Sequence, residues 1–295
     1  MKHTIFRGIG TAMITPMTEK GIDYDSFARL IDMQLNAGID ALIVCATTGE
    51  APTLTDEEHI EAIRFAVNEV KGRVPIVAGT GSNYTDHAVE MSRKAEAVGA
   101  DALLCVTPYY NKCTQKGLIA SYTKIADSTG LPMIVYNVPS RTGVDIKPDT
   151  YAVLAEHDRI VGIKEANGNI SSVVETMSKC GDKIDLYSGN DDQIVPLMSM
   201  GGIGCISVLS NILPKETKRI TELFFAGDVA GAAALQCRYK ALVDALFCET
   251  NPIPVKAACA AMGLCSDYAR LPLTPMEEAN KEKLLKLMRA EGLNV

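Results

Sequence analysis

Eight short apolar runs recur along the chain, and the segments between them carry signals for helices. Nearly continuous hydrophobicity is typical of strands buried on both faces, which favours a parallel sheet over an antiparallel one. Eight strand-helix units in succession predict an α/β fold of the (β/α)8 TIM barrel type. The runs are GTAMITPM, DALIVCATTGE, RVPIVAGTG, ADALLCVTPYY, LPMIVYNVP, RIVGIKEA, KIDLYSGN and GGIGCISVL.

The segments between the runs contain start and stop signals for helices. Thr55 and Glu58 fit a capping box ahead of an apolar stripe at Ile60, Ile63 and Val67. An open, doubly wound sheet is the alternative architecture, but no Gly-x-Gly-x-x-Gly follows the first strand. Glycines stand where the helices are expected to end, at Gly38, Gly72, Gly99, Gly130 and Gly181.

The strand signals stop after CISVLSN, which ends at residue 211, and the pattern from residue 215 to residue 295 is helical. This is more helix than the eighth barrel unit requires. We therefore predict two units, a catalytic barrel of residues 1–224 and a C-terminal helical bundle of residues 225–295. The proline-rich segment ETNPIPVK, residues 249–256, is expected to be a turn that joins the bundle.

Composition excludes several classes of partner. Of the 295 residues 47% are hydrophobic, which is enough for a large core, and the net charge of -7 disfavours nucleic acid and anionic membranes. No apolar run reaches the roughly 20 residues of a membrane span. The start, MKHTIFRGIG, lacks the apolar core of a signal peptide. A small anionic substrate would therefore need a local cationic pocket.

Cysteine and histidine usage indicates a reducing compartment and no metal site. The nine cysteines are an odd number, several lie in apolar runs, and no pair has C-x-x-C spacing. We interpret them as reduced thiols of a cytosolic protein. The four histidines, His3, His59, His87 and His157, are scattered, so the sequence predicts no metal cluster.

One lysine, Lys164, interrupts the apolar run IVGIKEA of residues 160–166. Burial removes the hydration of an amine and favours its neutral, nucleophilic form, which can form a Schiff base with a carbonyl substrate. Alternatively, Lys164 points outward and reaches solvent, or it pairs with Glu165. Strand alternation alone leaves both orientations open.

Polar side chains follow the predicted strands at their carboxyl ends, where α/β barrels carry their chemistry. Tyr136 stands on the strand before Lys164, so the two can be neighbours, and a phenol beside an amine can relay protons. Residues 47–50, TTGE, offer hydroxyls and backbone N–H groups that suit a carboxylate, and Arg141 offers a guanidinium. A packing tyrosine, an ordinary turn and a surface arginine are the alternatives.

Five segments together resemble the dihydrodipicolinate synthase and N-acetylneuraminate lyase superfamily of Schiff-base-forming barrel enzymes. They are ATTGE (46–50), TPYYNK (107–112), YNVPSRTG (136–143), GIKEA (162–166) and YSGND (187–191). The resemblance covers essentially the whole chain. Within the superfamily, the chain is most similar to members that condense pyruvate with aspartate 4-semialdehyde in lysine biosynthesis through diaminopimelate. The resemblance implies a class I aldolase-type lyase without a cofactor.

The resemblance also implies a role for each matching residue. Lys164 would form the imine with pyruvate. Thr48 would hold the pyruvate carboxylate, and Arg141 would bind the carboxylate of the semialdehyde. The other implied positions are the proton relay, Tyr136, Thr47 and Tyr110, and the lining of the pyruvate pocket, Gly189 and Ile206.

Quaternary structure and regulation are implied in the same way. The resemblance predicts a homo-oligomer, usually a dimer of dimers, in which Tyr110 reaches the relay of a neighbouring subunit. Ala46 replaces the usual glycine ahead of TTGE. Ala51 and His87 replace a serine and a glutamate at positions where some members bind lysine as a feedback inhibitor. Because the lost carboxylate would pair with the ammonium of lysine, we expect weak or absent inhibition.

Other activities share parts of this pattern. A pyruvate-dependent aldolase of N-acetylneuraminate or a 2-keto-3-deoxy sugar acid would also use Lys164, Tyr136 and Thr47, whereas Arg141 and Tyr110 favour the condensation. A catalytically silent barrel that binds a keto acid is a second alternative, which no residue supports. A metal-dependent class II aldolase is disfavoured because no histidine cluster follows the strands.

Overall fold

The computed structural model describes residues 4–295 of the chain. A strand coincides with each of the eight predicted apolar runs, although β1 begins two residues before its run, and two further short strands follow β1, the first of them beginning at the last residue of the first run. The strands are β1 Gly8–Ala12, β2 Met17–Thr18, β3 Gly21–Ile22, β4 Ala41–Val44, β5 Ile76–Gly79, β6 Ala102–Val106, β7 Met133–Asn137, β8 Ile160–Glu165, β9 Asp185–Ser188 and β10 Gly204–Ser207.

Eight strands close into a barrel in the order β1-β10-β9-β8-β7-β6-β5-β4, and all neighbours are parallel. The short strands β2 and β3 pair with each other in an antiparallel hairpin outside the barrel. Because closure leaves the barrel without an edge strand, the open doubly wound sheet is excluded. The prediction of a (β/α)8 TIM barrel is confirmed.

Helices connect the barrel strands and continue beyond the last one. Within residues 4–295 they are α1 Tyr24–Asn36, α2 Asp56–Val70, α3 Thr85–Ala97, α4 Gln115–Ala126, α5 Pro139–Thr142, α6 Pro148–Leu154, α7 Ile170–Cys180, α8 Ile194–Ser199, α9 Pro214–Phe225, α10 Val229–Arg238, α11 Lys240–Leu246, α12 Ile253–Ala261 and α13 Glu278–Ala290. Across the same residues, none of these helices is both long enough and apolar enough to cross a membrane.

Local sequence signals explain where α2 begins and where α1, α2 and α3 end. Both bonds of the capping box are present at the start of α2, where Glu58 N donates to Thr55 Oγ1 at 3.2 Å and Thr55 N to Glu58 Oε2 at 3.0 Å. Gly38, Gly72 and Gly99 follow these helices with φ of 74°, 73° and 92°. A residue without Cβ adopts this left-handed conformation at little cost, so these glycines end the helices.

Two apolar layers hold the barrel together. The larger cluster packs the outward faces of the strands against the surrounding helices. The smaller cluster fills the barrel interior and combines alanines with large side chains such as Ile134 and Ile206. At the amino ends of the strands, the Tyr187 ring stacks on Phe6 at 4.4 Å between centroids, and Tyr187 OH donates to Phe6 O at 2.7 Å. This stacked pair belongs to the interior cluster and helps to fill the barrel.

The C-terminal helices differ from the sequence expectation in one segment. Residues 249–256 were expected to form a turn, but α12 already begins at Ile253. Pro254 lies in the first turn of α12, where proline removes no intrahelical hydrogen bond and therefore does not stop the helix. The boundary placed at residues 224 and 225 coincides with the last residues of α9, which packs against β1 and α10.

Candidate active site

Lys164 lies inside the barrel, near the carboxyl end of β8. All six residues of β8 are buried, but Ile163 packs in the outer cluster while Gly162 faces Ile134 and Tyr187 of the interior. Side chains alternate along a strand, so Lys164 faces inward with Gly162. Only 4% of Lys164 is exposed. The structure thus rejects the outward orientation.

Tyr136 is the immediate neighbour of Lys164. The two are register partners on β7 and β8, and Lys164 Nζ lies 4.0 Å from the centroid of the Tyr136 ring. An ammonium over an aromatic face is stabilised by the ring quadrupole. Within residues 4–295, Lys164 forms no salt bridge. A buried amine with a phenol beside it and no paired carboxylate is suited to nucleophilic attack.

Gly189, which follows β9, leaves space for the Lys164 side chain. A Cβ placed on Gly189 would lie 3.2 Å from Lys164 Cε and 2.8 Å from Ala166 Cβ. Ile206 of β10 belongs to the same interior cluster as Tyr136 and is 1% exposed. Gly189 therefore lies next to the buried amine, and Ile206 packs in the same interior cluster as Tyr136. That the two residues line a pyruvate pocket stays a prediction.

A tight turn after β4 presents Thr47 and Thr48. Cys45 and Glu50 flank it with φ of 54° and 56°, in the left-handed region. Glu50 N donates to Thr47 O at 3.1 Å, and Thr15 Oγ1 donates to Gly49 O at 2.7 Å. The turn is therefore held from both sides. Thr48 is 3% exposed, whereas Thr47 is half-buried.

Arg141 lies in α5, directly after β7, and is exposed. Gly143 ends this short helix with φ of 68°. Arg141 Nη2 donates to the carbonyl oxygen of Asn251 at 3.1 Å, and the Asn251 side-chain nitrogen donates to Thr48 Oγ1 at 3.0 Å. Asn251 therefore connects the two residues that were expected to bind carboxylates.

Among residues 4–295, no group of three or more His, Cys, Asp or Glu side chains is arranged to hold a metal ion. His3 lies outside the described residues.

A model of the dihydrodipicolinate synthetase family matches residues 5–291.

The chain belongs to the dihydrodipicolinate synthetase family.

Several known members of this family are close relatives. A 4-hydroxy-tetrahydrodipicolinate synthase of Alkaliphilus oremlandii (strain OhILAs) is 51% identical over 98% of this chain and 100% of its own length. One from Caldicellulosiruptor saccharolyticus is 53% identical over 99% of each chain. The crystal structure of dihydrodipicolinate synthase from Aquifex aeolicus has a TM-score of 0.96 and 41% identity, covering 98% of this chain and 99% of that chain.

Tyr110 stands apart from the cluster around Lys164 in this family member. It is 91% exposed and has φ of 69°. Within the described chain, no hydrogen bond joins Tyr110 to Thr47 or Tyr136. A single copy of the chain therefore brings Gly189 and Tyr136 next to Lys164, with Ile206 in the same interior cluster as Tyr136. It joins Thr48 to Arg141 through Asn251 and leaves Tyr110 exposed.

Sequence reasoning missed three residues of the site, namely Asn251, Lys256 and Asp191. Asn251 contacts Thr48 and Arg141, as described above. Lys256 of α12 is fully buried, and its Nζ lies 2.5 Å from Oε1 of the equally buried Glu50. A lysine inside the apolar stretch IPVKAACAA gave the same signal as Lys164. The difference is the partner: Lys256 is neutralised by a carboxylate, whereas Lys164 is not.

The charge of Lys164 affects the pKa of the Asp191 carboxyl group. Asp191 is 4% exposed and accepts hydrogen bonds from Val208 N and Leu209 N, each at 3.0 Å. Burial raises the pKa of Asp191, while these donors and the positive charge of Lys164 lower it. Asp191 thus lies close enough to Lys164 for the two groups to interact electrostatically, although the described residues show no salt bridge between them.

The positions implied in lysine inhibition are partly occupied by internal contacts. His87 Nε2 lies 2.9 Å from Asp56 Oδ1, and His87 Nδ1 lies 3.2 Å from Ser82 Oγ. The hydrogen bond from His87 lowers the pKa of Asp56. His59 is buried, with Nε2 2.7 Å from Gly79 O. Weak or absent inhibition by lysine stays a prediction.

Proposed function

We propose that this chain condenses pyruvate with L-aspartate 4-semialdehyde to give 4-hydroxy-tetrahydrodipicolinate through a Schiff base at Lys164. Membership in the family and relatives of about 50% identity that carry the synthase name support this activity. The observation that carries the mechanism is the buried amine of Lys164, 4.0 Å from the Tyr136 ring centroid. Pyruvate is a ketone with an anionic carboxylate, which matches an amine nucleophile beside hydroxyl donors.

The reaction begins at the amine. Lys164 Nζ attacks the C2 ketone of pyruvate, the carbonyl oxygen is protonated to a hydroxyl, and this hydroxyl leaves as water after a second proton transfer. Tyr136 is the proposed proton donor and acceptor, since its phenol is the polar group of the ring against which the amine packs. Thr48 would hold the pyruvate carboxylate, and Thr47 would extend the relay towards solvent.

Carbon–carbon bond formation follows from the imine. Loss of a proton from the pyruvate methyl group gives an enamine, whose carbon attacks the aldehyde of the semialdehyde while the aldehyde oxygen takes up a proton. The amine of the second substrate then attacks the imine carbon, closes the ring and releases Lys164. Arg141, exposed at the mouth, would bind the second carboxylate. This order predicts ping-pong kinetics with pyruvate binding first.

We further propose a homo-oligomer in which a second copy supplies Tyr110. Its exposure of 91% in a single chain supports this role, because a relay residue needs to be shielded and close to Tyr136. Sedimentation velocity would test the proposal, and a fully active monomer would reject it. We also propose a reducing, cytosolic compartment, since five of the nine cysteines are buried in the folded chain, as is usual for the thiols of such a compartment.

The test has two parts. The first treats the protein with pyruvate and borohydride and maps the added mass, which is expected on Lys164. Lys164→Met should abolish labelling and reduce turnover by more than about 1,000-fold. Lys179→Met is the matched control, because Lys179 forms exposed ion pairs away from the barrel mouth. Absence of labelling in the unmodified protein would favour a silent, keto-acid-binding barrel.

The second part compares acceptors. Pyruvate consumption is measured with aspartate semialdehyde, N-acetylmannosamine and glyceraldehyde under the same conditions. Turnover with the semialdehyde alone is expected if Arg141 selects the acceptor. A faster reaction with either sugar aldehyde would retain the imine at Lys164 and replace the synthase by a sugar-acid aldolase.

A further inference from the structure

The carboxyl group of Glu165 lies behind the catalytic lysine, on the opposite face of β8. Successive side chains of a strand point to opposite faces, so Glu165 faces outward where Lys164 faces inward. Glu165 is nevertheless 5% exposed. On β7, Asn137 is the register partner of Glu165, just as Tyr136 is the partner of Lys164. An outer pair therefore stands directly behind the reactive pair.

Three groups donate hydrogen bonds to the Glu165 carboxylate. Asn137 Nδ2 lies 3.0 Å from Oε1 and 3.2 Å from Oε2. Asn167 N donates to Oε1 at 2.8 Å, and Tyr151 OH donates to Oε2 at 2.9 Å. These donors come from β7, from the segment after β8 and from α6. The carboxylate is the common acceptor that joins three parts of the wall.

The same region is joined through the main chain and through Asn137. Ala166 N donates to Asn137 O at 2.9 Å, and Gly189 N donates to Glu165 O at 2.7 Å. Asn137 Nδ2 also donates to Asp145 Oδ1 at 2.8 Å, and Asn137 Oδ1 accepts from Ile146 N at 3.1 Å. A shift of Glu165 would therefore move the ends of β7, β8 and β9 relative to one another.

We infer that Glu165 is a positioning residue for the imine chemistry: its buried carboxylate ties the ends of β7 and β8 together and so holds Lys164 against Tyr136. This inference rests on the proposed function of Lys164. Glu165 and Asn137 are each one peptide unit from the reactive side chains, so the distance between Lys164 Nζ and Tyr136 follows the distance between the outer pair.

The charge of Glu165 gives this role a pH dependence. Burial raises the pKa of Glu165 to about 7, although the bonds from Asn137, Asn167 and Tyr151 oppose the shift. Two titratable groups face it, Asp145 and Tyr151, and the charge of Asp145 also raises the pKa. The register partners on the neighbouring strands, Asn137 and Ser188, do not titrate. Above neutral pH the Glu165 carboxylate is ionised and accepts all of these hydrogen bonds. Below neutral pH it becomes protonated, and the connection between β7 and β8 weakens.

Protonation changes the hydrogen bonding in a defined way. The ionised carboxylate accepts from all three donors, whereas the protonated form turns one oxygen into a donor that faces donors. The rate of imine formation should therefore fall as the pH falls through about 7. Tyr151→Phe removes a bond that favours the ionised form, so the fall should shift to higher pH.

The experiment measures two quantities between about pH 6 and pH 9: the rate of pyruvate-dependent borohydride trapping at Lys164, and kcat/KM for pyruvate. The unmodified protein is expected to lose rate at the acid side with an apparent pKa of about 7. Tyr151→Phe should move this limb to higher pH. Glu165→Gln should abolish the limb and slow trapping on the order of 10- to 100-fold through misplacement of the amine.

Glu156→Gln is the matched control, because the Glu156 side chain is 65% exposed and pairs with Lys183 at the surface. It should leave the limb unchanged. The inference is overturned if Glu165→Gln keeps the limb of the unmodified protein, or if Tyr151→Phe folds and leaves it in place. A protein that shows no trapping at any pH would instead reject the proposed function of Lys164.

Discussion

The ammonium of Lys164 lies over the ring of Tyr136, 4.0 Å from its centroid, on the neighbouring strand of the barrel. Two strand residues in register are held more rigidly than two loop residues, so the proposed nucleophile and its proposed proton relay keep a fixed relative position. The Tyr136 ring contacts the amine, whereas the Tyr136 hydroxyl is the group proposed to transfer protons. A variant that lacks only the hydroxyl therefore tests proton transfer without removing the ring.

Tyr136→Phe keeps the ring under Lys164 and removes only the hydroxyl. Because general acid–base catalysis contributes on the order of 100- to 10,000-fold, we expect kcat to fall within that range while the melting temperature stays close to its original value. Tyr122→Phe is the control, since Tyr122 is fully buried and donates to Cys105 O at 3.3 Å on the outer side of β6. An equal loss of kcat in both variants would contradict the relay.

Gly189→Ala places a methyl group 3.2 Å from Lys164 Cε and 2.8 Å from Ala166 Cβ. Displacement of the amine should slow borohydride trapping by about 100-fold, with a smaller effect on the urea midpoint. Gly130→Ala is the control, because its added Cβ meets only Oε1 of the flexible Glu96 side chain at 3.1 Å. Unchanged trapping in Gly189→Ala would show that Lys164 has room to move.

Replacing only Lys256 of the buried Lys256–Glu50 pair should destabilise the protein more than replacing both partners. Lys256→Met leaves the Glu50 carboxylate buried without its cation, and we expect a loss of about 3–5 kcal/mol of unfolding free energy. Adding Glu50→Gln removes the stranded charge and should restore a large part of that loss. Urea denaturation of the two single variants and the double variant measures this coupling. Simple additivity of the two single losses would argue against a coupled pair.

The contact between Arg270 and Glu58 should make the unfolding free energy depend on pH in acid. The Arg270 guanidinium forms hydrogen bonds with both oxygens of Glu58, and these bonds lower the pKa of Glu58 from 4.5 to about 2. A lowered pKa stabilises the fold above about pH 4.5, and this contribution is lost as the pH falls towards 2. Arg270→Ala should therefore destabilise the protein near neutral pH and flatten the decline between these values. Unfolding free energies across that range measure the effect.

The architecture followed from the sequence because it depends on repeated local patterns. A strand coincides with every apolar run that was read as one, and the capping box of Thr55 and Glu58 starts α2. The orientation of Lys164 did not follow, since all six residues of β8 are buried and alternation of apolar and polar residues is absent. Only the packing of Gly162 and Ile163 on opposite sides distinguishes the inner face.

The part of the site that the sequence did not predict depends on contacts between residues that lie far apart in the chain. Asn251 and Thr48 are 203 positions apart, and Lys256 and Glu50 are 206 positions apart. No local pattern predicts that a segment resembling a linker returns to the barrel mouth. The signal that was available, a lysine within the apolar helix α12, indicates a buried charge but not its partner, and it was not used.

The contacts of Asn251 and Lys256 with the barrel affect how this protein can be recombined with its relatives. A chimera with its crossover between residues 224 and 225 would take Glu50 and Thr48 from one parent and Lys256 and Asn251 from the other. It would fold well only where both parents carry compatible residues at these positions. The natural unit of exchange therefore includes the C-terminal helices, and libraries built from helix-swapped parents should retain activity only when those residues are inherited together.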